Sequence, residues 1–221
     1  MIRYAKADDL PALRFIWNAC FPADVGFGVF FFSELYKPEQ SLVFDDGKVT
    51  SMLHMLPFTR SDGKPVTYIY GVGTLPEYRR RGQSAALIKE ALRVNDICFL
   101  IPQEKWLFGF YEQFGFKTTF YKREFSAAGL EEARRAGNGD IPLLNKYYQD
   151  ALDVRVERSS KHWENMLENG IFMLDGGYAI VDGNIALEAF GPATSSKMTG
   201  KPFGMANQWA GESAYLNFMY N

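Results

Sequence analysis

Histidine and cysteine are scarce in this chain, at two residues each. His54 and His162 stand in no metal-ligating spacing with Cys20 and Cys98, so no metal site is expected. Both cysteines lie in apolar stretches and read as buried thiols, not as a disulfide framework. That suits a reducing, cytoplasmic setting. An excess of one charge is missing too: 24 Lys and Arg against 26 Asp and Glu leave a net −2. A dedicated nucleic-acid binder would carry a strongly basic footprint. No apolar run approaches the roughly 20 residues that span a bilayer, and Met1 to Asp9 has no signal-peptide apolar region. Neither nucleic acid nor a membrane is therefore expected as a partner. Two phosphate-binding patterns are also absent, Gly-x-Gly-x-x-Gly and Gly-Lys-Ser/Thr, which disfavours a dinucleotide fold and a P-loop.

What is present is ample core material, with 47% hydrophobic and 16% aromatic residues in 221. That length fits one large domain, or one with a smaller domain appended. Ile2 to Ala5 reads as a strand, and Asp8 or Asp9 as the cap of a helix with apolar face Leu10, Leu13, Ile16 and Trp17. Phe27 to Phe32 holds four phenylalanines and is either core or the wall of an apolar groove. A hairpin is expected over Ser41–Phe44 and Val49–Leu56, then a strand over Val66–Thr74. Next come a helix, the apolar strand Ile97–Ile101, a short helix over Leu107–Phe114 and a strand over Phe116–Phe125. This order is that of a mixed α/β layer. A composition shift and the breaker Gly137-Asn-Gly-Asp140 place a domain boundary between residues 1–126 and 127–221. The second part reads as a charged helical stretch (Ala127–Arg135), two helices (Pro142–Ala151 and Lys161–Glu168) and strands at Phe172, Tyr178 and Ile185. A loop over Gly191–Pro202 and a terminal strand from Ala214 complete it. No second arginine-glycine loop is read in this half.

The segment Gly71 to Leu92 carries most of the chemistry. Three arginines run into Gly82, then small residues, then an amphipathic helix. Backbone N–H groups and the positive end of the helix dipole converge there, which favours a phosphate or pyrophosphate. The plainer alternative is a solvated basic turn.

Arg79-Arg80-Arg81-Gly82-Gln83-Ser84 resembles the Arg/Gln-x-x-Gly-x-Gly/Ala signature of the GNAT superfamily of N-acetyltransferases, with Ser84 departing from Gly/Ala. Downstream, Phe110-Tyr111-Glu-Gln-Phe-Gly115-Phe116 is similar to the family's Tyr-x-x-x-Gly-Phe segment. The layout further resembles the Eis-like branch, in which a degenerate second unit lacking the cofactor loop follows the active one. Val154 to Trp163 is similar to that branch's linker. The resemblance implies a GNAT fold of α+β type: a mixed, mostly antiparallel sheet flanked by helices, with a smaller α+β C-terminal domain. It implies acetyl-CoA as co-substrate, with the pyrophosphate on Arg79, Arg80, Arg81, Gly82, Gln83, Ser84 and Ala85. The main chain of Val72, Gly73 and Thr74 would pair with the pantetheine arm.

It also implies Tyr111 as general acid, since a phenol with pKa about 10 can protonate a leaving thiolate with pKa about 8.5. The plainer reading of Tyr111 is a packing aromatic. In longer members of the branch the C-terminal carboxylate reaches the active site, which makes Asn221 a candidate base. His54 competes for that role, although a lone His in an apolar strand is more often a core residue. Phe27 and Phe30, with Asp24 or Glu34 attracting a cationic amine, are candidate acceptor contacts. The acceptor is expected to be a primary amine of a small molecule or a protein, and homo-oligomers are open. The rival readings are another acyl group, an O-linked acceptor, or a non-catalytic acyl-CoA-binding regulator.

Overall fold

A computed structural model describes residues 1–125, 133–167, 170–182, 185–191 and 196–209. The chain forms two compact units. The first comprises Met1–Phe58, Pro65–Lys117 and Ala206–Gln208; the second is built from Thr59–Lys64, Thr118–Met205 and the residues from Trp209 on. No single described helix is long and apolar enough to cross a membrane.

The first unit opens with strand β1 (Ile2–Tyr4) and helix α1 (Leu10–Cys20). Asp9 does not cap α1 directly. It caps the 3-10 turn Ala7–Asp9 just before it, accepting from the Lys6 N–H at 2.7 Å while Arg3 grips both of its oxygens at 2.6 and 2.9 Å. The short helix α2 (Val25–Phe30) runs into a π-helical turn, Phe31–Leu35. Then come β2 (Ser41–Asp45), β3 (Val49–Thr59), β4 (Pro65–Thr74), α3 (Gln83–Val94), β5 (Cys98–Leu100) and α4 (Lys105–Glu112).

The five strands lie in chain order, β1-β2-β3-β4-β5. β1–β2 and β2–β3 are antiparallel, and β4–β5 is parallel. Leu13, Ile16 and Trp17 of α1 are buried, as are Leu87, Ile88 and Ala91 of α3. In α3 the buried face turns further than the apolar pattern implies, because Gln83 is inside while Ala85 and Leu92 are half-buried. Asn207 closes the unit at β5: its Oδ1 accepts from the Cys98 N–H at 2.7 Å, and its own N–H donates to the Cys98 carbonyl at 3.1 Å.

The second unit contains β6 (Lys117–Phe125, from Thr118 on), β7 (Arg134–Arg135), α5 (Ile141–Ala151), α6 (Ser160–Met166), β8 (Ile171–Leu174), β9 (Gly177–Asp182), β10 (Ile185–Phe190) and β11 (Ser196–Ala206, up to Met205). Two expectations are corrected here. Arg134 and Arg135 are strand, not the end of a charged helix, because they pair with Met173 and Phe172 of β8. Ser196 to Pro202 is strand, not loop. It lies beside β6, and ladder bonds from a neighbour override a composition rich in turn formers. The expected terminal strand from Ala214 falls outside the described residues.

The second unit repeats the order of the first, β-α-α-β-β-β, with neighbours β7-β8-β9-β10 matching β1-β2-β3-β4. The opening device is repeated atom for atom. Arg134 grips Asp140 at 2.8 and 2.8 Å, and Asp140 accepts from the Gly137 N–H at 2.9 Å, ahead of an Ile-Pro that matches Leu10-Pro11. Leu144 and Tyr148 are buried at the positions that Leu13 and Trp17 hold in α1.

The core of this unit surrounds a buried ion pair. Arg158 donates to both oxygens of Glu188, at 2.9 and 2.8 Å, and both side chains are fully buried. The guanidinium lies 3.9 Å from the Tyr148 ring centroid and 4.7 Å from that of Trp163, and the Tyr178 hydroxyl donates to Glu188. Removing one partner leaves a desolvated charge, so Glu188→Gln is expected to cost about 3–5 kcal/mol in urea denaturation. The double change Arg158→Met with Glu188→Met, which removes both charges, should recover most of that loss.

Candidate acyl-donor and acceptor site

The parallel ladder of β4 and β5 pairs Thr67 with Cys98 and Tyr68 with Phe99. β4 then runs on to Thr74, while β5 stops at Leu100. Gly71 sits in this free stretch with φ +56°, a conformation that an L side chain rarely adopts. A Cβ at Gly71 would lie 2.9 Å from His54 Cδ2, and one at Gly73 would lie 3.2 Å from Ile16 Cγ2. The two glycines thus let β3 and α1 close against the bent strand.

Beyond β4, Pro76–Tyr78 forms a 3-10 turn and the chain enters α3 through Gly82, at φ +77°. Gly82 is the N-cap, and no side chain caps the helix. The N–H groups of the first turn therefore point outward without intrahelical partners. Open space surrounds the place where a Gly82 Cβ would stand. Arg80 is held at φ +62°, the one non-glycine residue with positive φ among the described residues, and such strain collects at functional sites. Arg79 Nε donates to the Thr74 carbonyl at 3.1 Å, and Arg81 donates to the Glu77 carbonyl at 2.9 Å. Arg81 and Lys48 lie over the Tyr78 ring, at 5.1 and 4.9 Å. None of the three arginines forms an ion pair among the described residues.

Gln83 and Ser84 turn the other way. The Gln83 Oε1 accepts from Thr50 at 3.0 Å and from Ser51 at 2.5 Å. Ser51 and Thr74 hydroxyls meet at 2.9 Å, and Thr74 and Ser84 hydroxyls at 2.7 Å. This chain of hydroxyls pins the start of α3 to β3 and the end of β4. The Ser84 departure from Gly/Ala therefore has a use, as the last link of the chain. Thr50 and Ser51 are absent from the sequence reading. Their signal is two adjacent hydroxyls inside an otherwise apolar strand.

Tyr111 is buried on α4, edge-on to Phe116 with ring centroids 6.0 Å apart. Its phenol lies close enough to Tyr68 for the two to interact electrostatically. Tyr68 stacks on Phe99 at 4.9 Å, in the last pair before β4 and β5 part. Burial pushes the Tyr111 phenol well above its ordinary value, so it holds its proton across the neutral range.

The candidate acceptor residues divide. Phe27 and Phe30 are half-buried, whereas Phe31 and Phe32 are core. Asp24 is exposed at the entry to α2. Glu34 is exposed on the π-helical turn. His54 does not join them. It is 1% exposed, and its ring lies among Phe31, Phe32 and Tyr36. The Ser41 hydroxyl donates to the Lys37 carbonyl at 3.1 Å and so accepts from His54 Nδ1 at 2.7 Å. That leaves His54 Nε2 as a bare acceptor, buried without a partner among the described residues. Asn221 lies outside the described residues. No cluster of three or more metal-ligating side chains occurs among the described residues.

Burial holds the His54 imidazole neutral, with its pKa pushed down to about 3. The unfolded chain, at an ordinary value of about 6.5, binds that proton first. Stability is therefore full above about pH 6.5 and falls as pH drops towards 3, at up to about 1.4 kcal/mol per unit. Urea midpoints between pH 7 and pH 4 should decline less steeply for His54→Gln than for wild type. An unchanged slope would assign the acid sensitivity elsewhere.

A family model described as an acetyltransferase (GNAT) domain matches residues 1–119, just over half of the chain. No curated protein matches the sequence at a significant level. Among solved structures, a putative acetyltransferase from Pyrococcus horikoshii is similar along 100% of this chain and 95% of its own, with TM-score 0.66 and 14% identity. GCN5-related N-acetyltransferases from Kribbella flavida and Anabaena variabilis are similar over 93% of this chain. They are covered over 71% and 72% of their own lengths, each with TM-score 0.65, at 14% and 16% identity. At such identities the likeness establishes the fold, and the family model establishes the kinship. Through residues 1–119 the chain belongs to the acetyltransferase (GNAT) family, and the protein is an acyltransferase.

Proposed function

We propose that the protein transfers an acetyl group from acetyl-CoA directly to a primary amine. The observation that carries this reading is the uncapped, glycine-led N-terminus of α3, with three arginines free of ion pairs among the described residues, beside a strand that has left its neighbour. Acetyl-CoA supplies a thioester, and its pyrophosphate suits the outward N–H groups from Arg81 to Ala85 with charge from Arg79 to Arg81. Gln83 and Ser84 contribute there through backbone only, because their side chains are spent on the hydroxyl chain. The backbone of Val72, Gly73 and Thr74 would receive the pantetheine amides.

In the reaction the neutral amine attacks the thioester carbonyl. A C–N bond forms, the C–S bond breaks, the nitrogen sheds a proton and the departing sulfur takes one. Tyr111 is the proposed donor. A thiolate with pKa about 8.5 is a weaker base than a phenolate of about 10, and burial widens the gap. The phenol therefore acts best as a hydrogen-bond donor to the developing thiolate, giving up its proton only as another reaches it. The base that takes the ammonium proton is not His54, whose imidazole is buried and weakly basic.

The repeated β-α-α-β-β-β order further supports the second unit as a degenerate copy, as in the Eis-like branch. Arg134-Arg-Ala-Gly137-Asn-Gly139 does spell the cofactor signature, contrary to the sequence reading, and it precedes α5. Its anion position is filled from within, however, since Asp140 takes both the Gly137 N–H and the Arg134 guanidinium. It also follows β7, the counterpart of β1. After β10, the counterpart of β4, only Gly191 to Ser195 precede β11, too few for a loop and a helix like α3.

Acetyl-CoA should raise the melting temperature, and thiol release should appear with a suitable amine. Tyr111→Phe should lower kcat by about 100-fold or more while leaving acetyl-CoA affinity close to wild type. No thermal shift with acetyl-CoA would refute the donor site. Turnover unaffected by Tyr111→Phe would remove Tyr111 from the chemistry.

A further inference from the structure

Asp24 stands at the start of α2, between α1 and the segment that follows β5. Its carbonyl accepts from Trp17 Nε1 at 3.1 Å, which fixes the backbone against α1. Its carboxylate is exposed, forms no ion pair among the described residues, and accepts from Gln103 Nε2 at 3.4 Å. Gln103 stands just past β5, so this bond joins the start of α2 to the strand that has parted from β4.

Beside Asp24 stands a wall of rings. Phe27 meets Phe30 at 5.7 Å and Tyr70 edge-on at 6.3 Å, and Tyr70 continues to Tyr68 at 5.2 Å. Tyr68 in turn is within electrostatic reach of the Tyr111 phenol. Phe27, Phe30 and Tyr70 are only half-buried, so the wall is open to a ligand. Burial raises the pKa of the Tyr70 phenol, and the nearby Asp24 charge adds to the rise. Among the described residues, Asp24 is the carboxylate that acts on this aromatic surface, which runs from Phe27 through Tyr70 to Tyr68.

This composition discriminates among amines. A polyamine or an aminoglycoside brings several ammonium groups, and each needs a carboxylate or remains desolvated on carbon. A hydroxylated amine brings hydroxyls that find rings instead of acceptors. A single ammonium with an apolar body satisfies both parts, the charge at Asp24 and the body on the rings, with cation–π attraction in addition.

We infer that the acceptor is a small monocationic amine with an aromatic or aliphatic body, its ammonium held by Asp24 and its body by Phe27, Phe30 and Tyr70. This rests on the amine-acetyltransferase reading above. It goes further by naming the class of acceptor.

The test measures thiol release from acetyl-CoA with 2-phenylethylamine, hexylamine, ethanolamine, spermidine and kanamycin, alongside acetyl-CoA binding by calorimetry. The two apolar monoamines should exceed the other three in kcat/KM by about tenfold or more, the scale that one well-matched apolar pocket supplies. Asp24→Asn, at an exposed position, should raise KM for 2-phenylethylamine about tenfold, with kcat and acetyl-CoA affinity little changed. Phe27→Ala should shrink the preference for phenylethylamine over ethanolamine. Faster turnover of spermidine, kanamycin or ethanolamine would overturn the inference and leave the transferase reading intact. So would a KM indifferent to Asp24→Asn. Acetyl-CoA binding without turnover of any amine would defeat both.

Discussion

A buried amide oxygen holds the donor side of this protein together. Gln83 Oε1 accepts hydroxyl hydrogens from Thr50 and Ser51, and the run continues through Thr74 to Ser84. Each hydroxyl there can satisfy one neighbour and be satisfied by another, which is the condition for burying polar groups at little cost. Three elements meet at this point: β3, the end of β4 and the first turn of α3. Because those side chains are turned inward, the same residues leave their backbone N–H groups facing outward. The polar interior of the loop and the anion-seeking exterior are two sides of one arrangement.

The bend of β4 follows from the same local geometry. Gly71 in a left-handed conformation lets the strand leave β5 while staying packed on His54 and Trp17. His54 is then enclosed by rings, and its second nitrogen is left bare. A residue that looks chemical in sequence is thus consumed by packing. Tyr111 is buried as well, and burial favours the neutral form of both groups, which leaves the histidine unprotonated and the tyrosine protonated. Only the second condition suits a proton donor.

Most strands and helices of the first unit were legible because their hydrophobic periods are clean and their turns carry Asp, Gly and Pro. The donor loop was legible because glycine, arginine and small residues have backbone and charge consequences that need no tertiary context. The inward role of Gln83 was not, since nothing local distinguishes a buried amide from a surface one. Strand β11 was missed because its pairing partner β6 is far away in sequence and its own composition suits turns. The second unit was expected from the family resemblance alone, and its own residues hid the repeat for another reason. Its strongest sign is an arginine and an aspartate six residues apart, and that pattern means nothing until both pairs close around a 3-10 turn.

Asn207 holds the edge of β5 by three hydrogen bonds, two to Cys98 and one to the Asp96 carbonyl. That arrangement has a consequence for synthesis. A ribosome delivers Met1 to Lys117 long before Asn207, and the second unit emerges in between. Strand β5 must therefore wait, with its edge unclosed, while another unit is made. Exposed strand edges invite mispairing during such delays. The acetyltransferase unit is thus completed only after most of the second unit has been made.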